Sequence, residues 1–354
     1  MKTSKRWLRF AIRSAFPLLA ILSALAVGGL MLMIVGYDVG EVGSSIWMGI
    51  FGSKTSLALT LNKSTPLILL GAGVAIAFKG SSFNIGAEGQ FFAGALGCAL
   101  CEAALKGAAL PSWLRIVLIL ATAVVFGGVY GAIPGYLKAR HGSSEVVTSV
   151  MLSSVMILFV SFMVNGPIQE PNKLYSETPE IAEAARLPYI WEGTKLHPGI
   201  LIAIVLVVVL YFVLEKTTFG FKIKAAGQSA KAAEYAGINP NYITISTFVI
   251  SGAAAGLAGA IEVLGVSWKL YLSISPGYGY NAIAVALLAQ LNPLLIVLSG
   301  LLFGALNTGC NQMSRMIGVP SALSSLLQAL VLLFVIAYMP LQSRFERWFM
   351  KGRG

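Results

Sequence analysis

A chain of 354 residues that is 57% hydrophobic and 11% charged, with a mean hydropathy of +0.81, falls outside the soluble globular class, where charged residues supply about a quarter of the chain. The formal net charge of +11 is spread beside apolar runs and forms no single patch, which points to membrane lipid and away from nucleic acid. The expectation is an all-α polytopic membrane protein.

The N-terminus carries Lys2, Lys5, Arg6, Arg9 and Arg13 ahead of an apolar run over 16–35. At about twenty residues this run suits a first, uncleaved span better than a signal-peptide core. Hydropathy then places spans at 56–78, 85–105, 113–137, 145–164, 198–214, 243–264, 280–290, 294–310 and 323–338. That makes about ten. The piece at 280–290 is too short to cross straight, so it is a half-helix or part of a longer tilted one.

Charge orients these spans, because short cytoplasmic loops hold the excess of Lys and Arg. Lys2, Lys5, Arg6, Arg9, Arg13, Lys79, Lys138, Arg140, Lys216, Lys222, Lys224, Lys231, Arg344, Arg347, Lys351 and Arg353 fall on one side, sixteen of the 25 basic residues. Both termini are therefore expected in the cytoplasm. The opposite side holds a long acidic loop, 166–197, with Glu170, Glu177, Glu180, Glu183 and Glu192. One transmembrane domain over 1–354 is expected, with a first half at 1–165 and a second at 198–354.

Each half holds a Gly-rich, polar-interrupted segment, FNIGAEGQFFAG at 83–94 and SPGYGYNAIAVALLA at 275–289. Paired interruptions in corresponding positions point to a solute pathway. A carboxylate at bilayer depth costs at least ~2.5 kcal/mol, so Glu88 should face protein or water. A continuous helix would put Asn84 and Glu88 on one face with Gln90 elsewhere, either lining a polar route or locking a neighbouring helix. Phe83, Phe91, Tyr278 and Tyr280 could stack on a planar base or sugar ring or simply pack, and Asn281 adds a polar group beside them. The string Gly277-Tyr278-Gly279-Tyr280-Asn281-Ala282 matches a dinucleotide pattern formally but follows no soluble strand.

Other signals are structural. Gly127, Gly131 and Gly135, Gly252 and Gly256, and Gly300 and Gly304 are spaced by four, which lets helix backbones approach closely. Cys98 and Cys101 form a C-x-x-C inside an apolar helix with no second ligand pair, and Cys310 is also in a span. Only His141 and His197 are available for metal or triad chemistry, so no metal site or catalytic residue is expected. No G-x-x-x-x-G-K-[ST] occurs, so no cofactor is expected within this chain.

The longest polar island on the expected cytoplasmic side is 216–241. Its Ala-rich centre predicts one short surface helix over 228–236, stopped by Gly237 and Pro240. Ala232, Ala233 and Gly237 would give it a small face, with Lys231 and Glu234 at the rim. Spacing alone leaves an ordinary inter-helix loop equally open.

Asn84-Ile85-Gly86-Ala87-Glu88-Gly89-Gln90, together with Phe219-Gly220, Ala226-Gly227, Ala232-Ala233 and Tyr235-Ala236-Gly237-Ile238-Asn239, resembles the permease subunits of bacterial ABC importers. The branch is that of ribose, simple-sugar and branched-chain amino-acid importers, and the first motif is most similar to its nucleoside-type members. The resemblance covers nearly the whole chain. It implies a type II-like permease of two five-helix halves in the bacterial inner membrane. It also implies a coupling loop, with Gly227, Lys231, Ala232, Ala233, Glu234, Gly237, Ile238 and Asn239, seated on a separate ATPase that holds ATP and Mg. A second, homologous permease and an extracytoplasmic solute-binding protein would complete the assembly. Relatives with similar motifs carry ribose, other sugars, furanone-type signals or riboflavin, and the coupling motif does not choose among them. A secondary transporter would need more paired intramembrane carboxylates than the single Glu88, and a membrane enzyme would need a cluster of His, Asp or Cys.

Overall fold

The computed structural model describes residues 19–341 except 21, 321, 324, 332, 335, 339 and 340. The basic cluster from Lys2 to Arg13, the start of the expected first span, and Arg344, Arg347, Lys351 and Arg353 lie outside the described residues. Helix order is α1 (Leu22–Val35), α2 (Val39–Phe51), α3 (Lys54–Lys79), α4 (Ala87–Ala104), α5 (Ser112–His141), α6 (Glu145–Val164) and α7 (Gly199–Lys216). There follow α8 (Thr218–Gln228), α9 (Ala230–Tyr235), α10 (Pro240–Glu262), α11 (Tyr278–Leu288), α12 (Pro293–Ile317) and α13 (Ser325–Tyr338). Among the described residues there is no named strand, only an isolated bridge between Glu177 and Tyr271. Helices α3, α5, α6, α7, α10 with its continuation to Ser267, and α12 are long and apolar enough to cross a membrane.

The chain divides into two compact units, 1–60 with 305–354, and 61–304. In the first, Leu32, Val42, Cys310, Met313, Val319 and Leu327 form a core, and Gly49 lies against the backbone of Gly309. Helix α2 is absent from the hydropathy reading because thirteen residues cannot span. Its signal was nonetheless legible: Asp38 caps it, accepting from the N–H groups of Gly40 at 2.6 Å and Glu41 at 3.1 Å.

The second unit is built on the crossing of α10 with α5 and α4. Gly127 and Gly131 of α5 meet Gly252 and Gly256 of α10, and Gly94 of α4 meets Gly256, with Cα atoms too close for any Cβ between them. The four-residue glycine spacing is thus a packing device, as the sequence indicated. Past Glu262 the helix widens into a π-helical turn, Val263–Ser267, and stops at Trp268 with φ of +57°.

The expected short segment at 280–290 is α11, eleven residues from Tyr278 to Leu288 and too short to cross. It ends where Gln290 and Leu291 both take positive φ, and α12 begins at Pro293. The acidic segment 166–197 is irregular but tied down along 264–271. Thr178 N–H donates to the Leu270 carbonyl at 3.0 Å, Ile181 to Trp268 at 2.8 Å and Leu187 to Leu264 at 3.0 Å. Lys269 pairs with Glu177 at 2.6 Å, and that hydrogen bond holds the ammonium above the usual lysine range.

Candidate functional site: a polar cluster where α3, α4, α10 and α11 meet

The chain leaves the helix after Lys79 and re-enters it at Ala87, so 80–86 is a break within an apolar region. Asn84 causes it locally: its side-chain oxygen accepts from the Gly86 N–H at 3.0 Å, an Asx turn that competes with helix. Asn84 and Glu88 therefore do not share a helical face. Nor does Gln90 point elsewhere, because Asn84 Nδ2 donates to Gln90 Oε1 at 2.8 Å and Gln90 Nε2 returns a bond to Asn84 Oδ1 at 3.1 Å. Asn84 Nδ2 also reaches Ser251 of α10 at 2.9 Å, and Ser153 Oγ of α6 accepts from the Gly89 N–H at 3.2 Å. With all these groups buried, the amide network fixes the break to the surrounding helices.

Glu88 sits on the first turn of α4 and points out of that network. Its carboxylate accepts from the Gly279 N–H on the first turn of α11 at 2.6 Å, and Ser275 adds a side-chain hydrogen bond. The two interrupted segments, 191 positions apart, thus meet helix start to helix start. Gly279 permits the approach, since a Cβ there would overlap the Glu88 backbone. A carboxylate at two helix N-termini meets their positive ends.

Next to Glu88 on α11 is Tyr278, 1% exposed, with its ring 6.1 Å from that of Phe91. Lys63 of α3 donates to the Tyr278 hydroxyl at 2.8 Å and pairs with Glu262 of α10 at 3.4 Å. Lys63 and Glu262 are residues that the sequence reading missed, and Glu88 is not the single intramembrane carboxylate. The signal was present: both fall inside spans drawn from hydropathy, where any ionisable group marks a site by default. Glu102 and Arg115 form another buried pair, at 3.4 Å. Glu262 and Glu102 thus each face a basic partner.

The remaining pathway candidates are less enclosed. Phe83 is 46% exposed and meets Phe78 edge to face, Tyr280 is 41% exposed, and Asn281 is half-buried one residue further along α11.

In 216–241 the single expected helix is two. Ser229 is extended, with φ of −160°, and separates α8 from α9. Its hydroxyl accepts from the Ala232 N–H at 3.2 Å, so it starts a new helix where propensity alone would continue the old one. The expected small face is also divided. Ala233 and Ile238 are buried, while Lys231, Ala232, Glu234, Gly237 and Asn239 are exposed, and Tyr235 is 95% exposed. Gly237 takes φ of +76°, and Gly227 lies against the Lys79 carbonyl. Asn239 caps α10, accepting from the N–H groups of Asn241 at 3.0 Å and Tyr242 at 3.2 Å.

Residues 56–336 match the family described as the branched-chain amino acid transport system permease component. The chain is 35% identical to the guanosine ABC transporter permease protein NupP of Bacillus subtilis, over 90% of this chain and 92% of that one. It is 34% identical to the nucleoside ABC transporter permease protein NupB of Lactococcus lactis, over 90% and 89%. It is 32% identical to the glucose ABC transporter permease protein TsgB13 of Haloferax volcanii, over 95% and 89%.

Proposed function

From the fact that this chain belongs to the permease family of the branched-chain amino acid type, and is thereby an ABC transporter permease, we propose that it forms the pathway of an importer for nucleosides. The observation that carries the substrate class is its 35% and 34% identity to permeases named for guanosine and nucleosides over nine-tenths of the chain. Sugar is the second reading, favoured by the 32% identity to a glucose permease.

In this reading ten spans in two five-helix halves, 1–165 and 198–354, lie in the bacterial inner membrane with both termini in the cytoplasm. The segment 216–241 docks on a separate ATPase, which holds ATP and Mg. Lys231, Ala232, Glu234, Tyr235 and Gly237 present the docking surface, while Gly227, Ala233 and Ile238 hold it against the permease body. A second, homologous permease completes the pathway, and a solute-binding protein delivers its cargo at the acidic side. Glu88, Tyr278, Lys63 and Glu262 supply donors and acceptors that suit the hydroxyls of a ribose, beside the Phe91 ring. Asn84 and Gln90 position α4 beneath them, and Phe83, Tyr280 and Asn281 flank the route.

The test is uptake into proteoliposomes holding both permeases and the ATPase, with ATP inside, the binding protein outside, and labelled guanosine, ribose, glucose and riboflavin offered in turn. ATP-dependent uptake of guanosine alone is expected. Preferential uptake of glucose would move the substrate to sugars, and uptake by the permease without ATPase would overturn the reading.

A further inference from the structure

Helix α3 is capped without a glycine. Ser81 takes φ of +55°, its N–H donates to the Phe78 carbonyl at 3.1 Å, and the Ser82 N–H donates to the Ala77 carbonyl at 3.0 Å, the bond pattern of a left-handed helix stop. Glycine takes that conformation at least cost, so a serine there has to be held by its surroundings. One ion pair does this. Lys138, in the last turn of α5, donates to the Ser81 carbonyl at 2.9 Å and pairs at 2.6 Å with Glu145, the first residue of α6. The Glu145 carboxylate in turn accepts from the Phe83 N–H. Lys138 and Glu145 thus clamp the break on both sides of Ser82.

The clamp lies between the exposed segment and the polar cluster. On one side α8 packs against the cap: Gly227 lies on the Lys79 carbonyl with no room for a Cβ, and Ile223, fully buried, sits beside Gly80. On the other, Thr247 of α10 bonds Ser82 at 3.2 Å, Asn84 carries the amide network to Gln90 and Ser251, and Glu88 holds the Gly279 N–H of α11. Two backbones in contact have no rotamer with which to yield, so a shift of α8 is passed on to Lys79 and Gly80. A break with a left-handed residue is where such a shift would be lost as a change of φ and ψ. The clamp stiffens that stretch and ties it to α6, which is itself bonded to the first turn of α4 through Ser153 and Gly89.

We propose that the clamped cap of α3 is the joint that passes motion of the 216–241 segment to the polar cluster, with Lys138 as its positioning residue. This rests on the importer reading above, in which an ATPase moves that segment. Lys138 touches neither solute nor ATPase. It keeps residues 80–83 from flexing, so that a push on α8 tilts the start of α4 and with it the contact between Glu88 and Gly279. Without the clamp the push is taken up in the backbone of the break, and ATP is hydrolysed without moving solute.

The test counts guanosine taken up per ATP hydrolysed, or glucose if the parent prefers it, in proteoliposomes holding both permeases, the ATPase and the binding protein. Lys138→Met should lower that ratio about fivefold while the ATPase still co-purifies and hydrolyses ATP. Lys138→Arg, which keeps the charge and the donors, should restore most of it. A complex that is merely destabilised loses uptake and hydrolysis together and keeps the ratio. Lys224→Met, which breaks the 3.0 Å pair with Glu215 but leaves the cap alone, is the control and should keep the parent ratio. An unchanged ratio in Lys138→Met, a loss that Lys138→Arg does not repair, or an equal loss in Lys224→Met would each overturn the joint while the parent's ATP-dependent uptake leaves the importer reading standing. Uptake by the parent without ATP would overturn that reading and the joint with it.

Discussion

At the scale of residues, the Lys63 and Glu262 pair decides how the polar cluster behaves. Glu262 is 3% exposed while the Lys63 side chain is 28% exposed, so removing Lys63 strands a buried carboxylate at a cost of about 3–5 kcal/mol, and removing Glu262 leaves a partly solvated ammonium and costs less. Lys63→Met and Glu262→Gln should therefore each lower the melting temperature and uptake, while the double Lys63→Met, Glu262→Met variant regains most of the melting temperature and none of the uptake. Single variants that melt like the parent would show that the pair is solvated and idle. His197 offers a separate check. It is 1% exposed, Nδ1 accepts from the Gly199 N–H at 3.1 Å, and burial lowers its pKa from the ordinary 6.5 to about 4. The unfolded chain then takes up a proton at His197 before the folded one does, so stability is lost as pH falls from 6.5 towards 4, by roughly 3 kcal/mol. Melting curves of the parent should show that slope and those of His197→Gln should lack it; the same slope in both would place the titration elsewhere. Glu88 was legible in the sequence as a buried carboxylate, but its partner was not. A backbone N–H 191 positions away carries no side-chain signature, and only Gly279 hints at the close approach.

Elements were legible where period and length agree. Helix α6 runs over the predicted 145–164, and α3, α5, α7, α10 and α12 each match an expected span to within a few residues, α12 running on to Ile317. Two kinds of element escaped. Helices α2 and α8 lie below the length that hydropathy detects, and the break at 80–86 is set by an Asx turn that competes with apolar periodicity. The glycine crossing is the element-scale feature that tolerates least. A side chain at Gly256 would meet the Ala123 carbonyl and Gly127 Cα, both backbone and unable to yield, so Gly256→Ala should cost roughly 3 kcal/mol in a thermal or denaturant assay. Gly43, with nothing within 4 Å of its would-be Cβ, is the matching control and should tolerate alanine. In α9 the exposed ring of Tyr235 touches no core. Tyr235→Ala should leave melting unchanged and reduce co-purification of the ATPase about tenfold, as loss of an aromatic anchor at an interface does. Undiminished co-purification would remove α9 from the docking surface.

At the scale of the whole molecule, composition excluded solubility, and the family follows from a match over 56–336. The motifs at 84–90 and 219–239 carried the same assignment in the sequence, because a break at membrane depth and an exposed two-helix segment each need particular small and polar residues in order. Substrate identity was not legible in them. They fix the helix break and the exposed two-helix segment, whereas the polar cluster proposed above to meet the solute joins side chains such as Lys63 and Glu262, which come from distant stretches and meet only in the fold. The most direct measurement is ATP hydrolysis by the complete complex in lipid, with binding protein, across a panel of nucleosides, pentoses, glucose and riboflavin. Stimulation by nucleosides, abolished when this permease is omitted, is the predicted result. Hydrolysis indifferent to every solute, or solute flux through this chain with no ATPase present, would contradict the account.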